Sequence, residues 1–239
     1  MNPSEFESHR IYEQSKVNYG QHIRDFIFGF NDGIITTLAI VAALTATGIS
    51  NLIIIFAGMA NILADGISMS LGGYISSKSQ VEVYKKIKGR ERKEIEKSPD
   101  AEREEIMHIY MQKGFRGKTL EKIVKTITSK KERWLDVMMK EELGLVESSY
   151  PNPLKVGIII FIAFLIGGGI PLVPYFFNDV NTALIIALTS SFASIFILGS
   201  LKSMFTQIGW LRSGLEMLVI GVFAASVAYF IGGAVHYFI

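Results

Sequence analysis

The chain has 239 residues, 49% hydrophobic and only 19% charged, with a mean hydropathy of +0.34, a balance too apolar for a soluble domain. A formal net charge of +2, with basic residues alternating with acidic ones, leaves no one-sided basic stripe and argues against nucleic acid as a partner. The absence of cysteine excludes disulfides, thiolate metal sites and thiol nucleophiles, so any metal must bind through carboxylate, imidazole, thioether or carbonyl groups.

What remains is an all-α membrane protein. About 20 apolar residues cross a bilayer as a helix, and five stretches qualify, at roughly 26–48, 52–76, 154–177, 181–204 and 213–238. Residues 1–25 before them are polar, with acids as well as bases, so they read as a cytoplasmic segment without a cleavable signal. The first two spans, together 26–76, are separated only by "TGISN" (Thr47 to Asn51) and form a tight helical hairpin.

The second span runs into a highly charged segment: 18 of the 24 Lys/Arg and 14 of the 22 Asp/Glu fall between Lys78 and Glu147. Residues 77–150 therefore read as a helical domain inserted between spans 2 and 3. "VEVYKKIKGRERKEIE" prolongs the second span, and Ser98 and Pro99 are placed to cap and open a helix of about four turns that ends before Gly114. One or two further helices follow through "TLEKIVKTITSKKERWLDVMMKEELGL", and Pro151 and Pro153 lead back into the bilayer for residues 151–239. Arg10, Lys16, Arg24, the charged insert, Lys202 and Arg212 all belong on one side. "TGISN" and "FNDVN" on the other side carry no Lys or Arg. The positive-inside rule then puts the N-terminus and residues 77–150 in the cytoplasm and the C-terminus opposite.

Inside these spans sit two acids. A charge at the centre of a membrane helix costs roughly 3 kcal/mol on insertion scales, so it is a site candidate by default. The helical rise puts Asp32 on the first span roughly 10 Å in from Arg24; on the second, Met69 lies roughly 10 Å and Asp65 roughly 16 Å deep. Asp65 and Met69, four apart, share a face. The bland alternatives are a hydrogen bond that either acid accepts from Asn31 or Asn61, and core packing for Met69.

In the insert, Glu91 and Glu94 are three apart, as are Glu102 and Glu105; Met138, Met139 and Glu142 form a third group at helical spacing. If the helices flanking Ser98-Pro99 run antiparallel, the two glutamate pairs converge. The competing reading is a solvated charged face, since Lys and Arg interleave with these acids. His108, Glu104 and the scattered His9, His22 and His236 show no metal-binding spacing. Gly29, Gly33 and Gly167 to Gly169 read as close helix contacts, and Glu216 as an ion-pair partner of Arg212.

The stretches "GFNDGIITTLAIVAAL", "ISMSLGGYISSKSQ" and "WLRSGLEMLVIGVFAASVAYFIGG" resemble the vacuolar iron transporter family over nearly the whole chain. That resemblance implies a homodimer in a plasma or vacuole-type membrane, moving Fe2+ out of the cytoplasm in exchange for protons, with Mn2+ or Zn2+ as further ions. It assigns Asp32 and Met69 to the ion path, and Glu91, Glu94, Glu102, Glu105, Met138, Met139 and Glu142 to metal collection. Many relatives carry an acid where this chain has Asn61 and a glycine where it has Asp65, so either Asp65 replaces that acid one turn away or the ion preference differs. A membrane-anchored metal sensor or buffer is the alternative from another class. No nucleophile with its base, phosphate loop or metal-hydrolase spacing supports an enzyme.

Overall fold

The computed structural model describes the backbone of residues 3–206 and 208–236, and the side chains of residues 20–204, 208–223, 226 and 227. The described residues are helices and turns without a strand. In chain order they are α1 (Pro3–Ala46), α2 (Asn51–Lys97), α3 (Pro99–Gln112), α4 (Gly117–Thr128), α5 (Lys131–Val137), a π-helical turn (Met138–Glu142), a 3-10 turn (Glu147–Ser149), α6 (Pro153–Leu172), a second 3-10 turn (Val173–Phe176), α7 (Val180–Thr206) and α8 (Trp210–His236). They form two compact units, one from Ser76–Asn152 and one from residues up to Ile75 together with those from Pro153 onward.

In the membrane unit, four helical stretches are long and apolar enough to cross a bilayer: Gly20–Ala46, Asn51–Lys97, Glu147–Phe176 and Val180–Met204. The expected spans 26–48, 52–76, 154–177 and 181–204 fall on these. The expected fifth, 213–238, runs along α8 and lies partly outside the described residues. Large apolar side chains remain exposed along the spans, among them Leu52, Phe56, Leu63, Ile67 and Leu71 on α2, as suits a lipid solvent.

The unit is built on the contact of α1 with α6. A Cβ added at Gly29 would lie 2.6 Å from the Ile160 carbonyl oxygen, and one at Gly33 would lie 2.5 Å from that of Phe164. Only glycine allows this approach, and association in lipid rests on such close packing because there is no hydrophobic drive between helices. Of the glycines expected to permit close contact, Gly29, Gly33, Gly167 and Gly168 do so, whereas a Cβ at Gly169 would meet nothing within 4 Å. At the hairpin end, the Thr45 and Tyr175 hydroxyls are 2.8 Å apart, and the Asn51 amide donates to the carbonyls of Tyr175 (3.2 Å) and Asn178 (2.6 Å). These bonds pin the α1–α2 hairpin to the end of α6.

The inserted unit has a core of its own, formed by Tyr84, Ile95, Ile106, Leu120, Val124, Ile127, Trp134, Leu135, Met138 and Met139. Helix α4 shows how the sequence makes it: Leu120, Val124 and Ile127 recur at helical spacing and are buried, while Lys118, Lys122 and Lys125 face water. Pro99 opens α3 and Gly114 follows it at φ +97°, as the sequence implies, but the Ser98 side chain makes no capping hydrogen bond. The proline's fixed φ and the acids of the first turn, Asp100 and Glu102, serve that end instead. A second departure concerns Glu216, whose ion-pair partner is Lys202 of α7 at 3.9 Å, across the α7–α8 contact, and not Arg212 one turn away.

Candidate metal sites

The membrane unit offers a sparse set of donors. Asp32 on α1 and Asp65 on α2 are both half-buried and close enough to interact electrostatically. Among the described residues neither carboxylate is hydrogen-bonded or ion-paired, so the bonds to Asn31 or Asn61 are not formed. The Thr36 hydroxyl donates to the Asp32 main-chain carbonyl at 2.9 Å and leaves the carboxylate free. On α2, Asn61, Asp65 and Met69 are four apart and equally half-buried, which places an amide, a carboxylate and a thioether on one face. The Asn61 amide nitrogen is buried without a partner. Met69 packs against the apolar cluster containing Leu38, Val41, Ile54, Ile62 and Phe164, so it serves the core whatever else it does.

Sequence reasoning passed over Asp25. It is 4% exposed, one carboxylate oxygen is held by the Arg24 guanidinium at 2.9 and 3.2 Å, and the other is buried without a partner. The signal was its spacing: seven residues before Asp32 is two turns up the same helix face. Its neighbour Arg24 disguises it as an ordinary interfacial ion pair.

The inserted unit offers a dense set. Glu91 on the extension of α2 and Glu102 on α3 are buried, at 6% and 7% exposure. Their carboxyl groups lie close enough to influence each other's titration, and one proton between them relieves the repulsion. Burial, then the negative charges of Glu142 and Glu102, push Glu91 up to about 7, so it holds that proton near neutrality. Glu102 is likewise raised, first by burial and then by Glu105; Glu142 is raised by burial, Glu105 and Glu94. Glu91, Glu94, Glu102, Glu105 and Glu142 therefore share one electrostatic neighbourhood, and the two glutamate pairs do converge.

Several of the interleaved cations are engaged elsewhere. Arg92 pairs with Glu132 at 2.8 Å, Lys88 with Glu147 at 2.8 Å, Lys140 with Asp136 at 2.7 Å, Lys131 with Glu96 and Lys113 with Glu141. Of the five clustered glutamates, only Glu94 has a described ion pair, with Arg90 at 3.0 Å. One oxygen each of Glu91 and Glu102 is buried without a partner. Carboxylates left uncompensated in this way are costly unless a proton or a cation offsets them. Met138 and Met139 are fully buried in the core of the unit, within the π turn that ends at the exposed Glu142. Such turns recur at functional sites. Among the described residues, no three His, Asp or Glu side chains are gathered tightly enough to hold an ion as they stand. His108 is exposed on α3.

The family model described as "VIT family" matches residues 23–233, which takes in both units. The chain belongs to the VIT family. It is 34% identical over 238 residues to "Vacuolar iron transporter 1" of Eucalyptus grandis, covering 98% of this chain and 96% of that one. Identity is 34% over 211 residues to "Vacuolar iron transporter 1" of Arabidopsis thaliana, covering 88% and 84%. With "Vacuolar iron transporter" of Plasmodium falciparum it is 33% over 242 residues, covering 95% and 89%. VIT family membership makes this a membrane transport protein and not an enzyme.

Proposed function

We propose that this chain carries Fe2+, and Mn2+ as a second ion, out of the cytoplasm in exchange for protons, as a homodimer in a plasma or vacuole-type membrane. Residues 77–150 and the N-terminus face the cytoplasm in this reading, and the C-terminus faces the other side. The observation that supports it best is the electrostatic pairing of Asp32 with Asp65, two carboxylates within spanning helices that no described residue neutralises. Their charge is expensive there and is offset when a divalent cation lies between them. Met69 adds a soft donor, and a carboxylate–thioether set suits a labile first-row ion, whereas Mg2+ would prefer an all-oxygen shell. Metal and protons compete for the same carboxylate lone pairs, so loading an ion releases protons and exchange follows.

The inserted unit, with Glu91, Glu94, Glu102, Glu105 and Glu142, collects the ion in this scheme, with Met138 and Met139 as candidate soft donors. The cluster is close-knit electrostatically yet open in geometry, which fits a site that holds metal briefly and hands it on. The deciding experiment is uptake into proteoliposomes, comparing Fe2+, Mn2+ and Zn2+ with and without an imposed pH gradient. Iron uptake that rises with an opposing proton gradient is expected. Metal bound without any uptake would leave a membrane-anchored sensor or buffer.

A further inference from the structure

The inserted unit carries a second charged feature that metal collection leaves unexplained. Residues 113–131 hold seven Lys or Arg and a single acid, Glu121. A unit that gathers cations gains nothing from a cationic edge, which repels them. Lys113 and Lys131 are engaged by Glu141 and Glu96, but Arg116, Lys118, Lys122 and Lys125 are exposed and form no ion pair among the described residues. At the start of this stretch the loop "KGFRGK" (Lys113 to Lys118) turns sharply between α3 and α4, with Gly114 at φ +97° and Gly117 at φ +53°. The Arg116 guanidinium donates through Nη1 to the main-chain carbonyls of Met111 and Phe115, the latter at 2.7 Å. These bonds hold the turn shut, and between its two glycines stands Phe115, an aromatic ring left 39% exposed.

Helix lengths set the height of this loop within the unit. From Ser76, the first residue of the inserted unit, α2 runs to Lys97, a rise of roughly 30 Å. The glutamate pairs converge across Ser98-Pro99, so α3 folds back along α2, and its 14 residues return roughly 20 Å. Phe115 and Arg116 therefore lie only about 10 Å beyond the level of Ser76, where the apolar run of the second span ends. Lys85 and Lys86 of α2, exposed and without an ion pair among the described residues, stand near the same level. Helix α4 then leads away again, since Lys131 just past its end pairs with Glu96 near the end of α2. Charges in about 0.1 M salt act over about 10 Å. The cations beside Phe115 are thus within reach of a surface at the level of Ser76, and those at the other end of α4 are not.

We infer that the Phe115-Arg116 loop anchors the inserted unit on an anionic bilayer surface, with Phe115 in the headgroup layer and Arg116, Lys118, Lys85 and Lys86 towards lipid phosphates. An exposed aromatic ring beside several cations suits interfacial docking, the ring supplying apolar burial and each cation about 1 kcal/mol. A soluble polyanion would engage the cations and leave the ring in water. The unit is also joined to membrane-spanning helices at both ends, through α2 and α6, so docking on lipid costs little translational freedom. Docking neutralises the cationic edge and leaves Glu91, roughly 20 Å along α2 from Ser76, open to arriving ions. The anchor goes beyond the proposed transport and stands whichever ion the chain carries.

The test uses the full chain, which has no cysteine of its own, in nanodiscs of phosphatidylcholine alone or mixed with phosphatidylglycerol. A fluorophore attached through Thr119→Cys reports on the loop, and one attached through Thr126→Cys reports on the far half of α4; both positions are exposed. In the mixed bilayer, quenching by a nitroxide on the lipid headgroup should be severalfold stronger at position 119 than at 126. It should fall in phosphatidylcholine alone and in about 1 M salt. Lys118→Gln should lower the ratio of docked to free loop roughly fivefold, the weight of one interfacial cation, while Lys118→Arg keeps it. Phe115→Ser should lower the ratio as well. Equal quenching at the two positions, equal quenching in the two bilayers, or an unchanged ratio in Lys118→Gln would each overturn the assignment. A response at position 119 to added heparin with none to lipid would also overturn it, in favour of a soluble polyanion. The comparison of positions 119 and 126 leaves the loop intact, so it decides the matter even if the loop variants fold poorly.

Discussion

The membrane unit and the inserted unit each keep a few acids out of reach of bases, by opposite means. In the membrane unit the acids are few, and the surroundings contain little to pair with them; Asp32 and Asp65 have chiefly each other. In the inserted unit cations are plentiful, yet Arg92, Lys88, Lys113, Lys131 and Lys140 are engaged by outlying acids, leaving Glu91, Glu102, Glu105 and Glu142 without a described ion pair. A vacant charge can thus be made by dilution or by allocation. Dilution is visible in a sequence, because a lone acid among apolar residues stands out. Allocation is not, because it depends on which Lys reaches which Glu in space.

If the two arrangements serve one cargo in series, they fail differently. Asp32→Asn should have the largest effect and reduce uptake in proteoliposomes to the level of empty vesicles, since it leaves Asp65 alone to hold a divalent ion. Uptake equal to the unaltered protein would remove Asp32 from the path. Asp65→Asn should do the same or change the preferred ion, and Asn61→Glu with Asp65→Gly should restore uptake if the acid has moved by one turn. In the inserted unit, exchanging Glu91, Glu94, Glu102 and Glu105 together for Gln should cut calorimetric Fe2+ binding by the full chain sharply. Helix content should hold, because Gln is nearly as good a helix former as Glu. Transport should fall much more at low than at saturating metal. Equal loss at every concentration would place this unit in the transport cycle itself.

Stability sharpens the same contrast at smaller magnitude. Gly33→Ala sets a methyl 2.5 Å from the Phe164 carbonyl oxygen, a clash costing about 1–3 kcal/mol against roughly 1 kcal/mol gained from helix propensity. Gly72→Ala meets nothing within 4 Å and should stabilise. Melting in detergent separates the two. The smallest effect concerns Glu91, raised from 4.5 to about 7 in the folded chain. As pH rises the unfolded chain gives up this proton first, so the metal-free protein loses stability between those values, and the loss is complete above them. Glu91→Gln should flatten that slope in a pH series of melts, and Fe2+ added to the unaltered protein near pH 7 should release protons that the variant does not.

Much of the architecture was legible for a simple reason. Span length and the Pro99 helix start follow from local chemistry, and Asp32 is conspicuous against its apolar neighbours. The convergence of the glutamates also needed only spacing and an antiparallel turn. Other features were hidden because they depend on contacts distant in sequence. Asp25 looked like half of a surface pair until its burial was known, Glu216 found its cation on the preceding helix, and the π turn at Met138–Glu142 leaves no mark in the residue pattern.

The glycine contacts of α6 differ in kind between its two neighbours, and that difference bears on how the membrane unit can change shape. Against α1 the backbones meet at Gly29, Gly33 and Gly167, three points spread along the helices. Such a joint neither slides nor rolls without main-chain collision. Against α2 the one backbone approach by a glycine is Gly157 to the Ser70 carbonyl, where a Cβ would lie 3.0 Å away; Gly58, Gly66 and Gly73 meet only the side chains of Leu172, Phe161, Phe164, Ile160 and Val156. Side chains change rotamer where backbones cannot yield. Helix α2 therefore has a fulcrum on α6 where α1 has a weld, and a rocking of α2 about Ser70 would shift Asp65 relative to Asp32 while Met69, beside the pivot, stays in place.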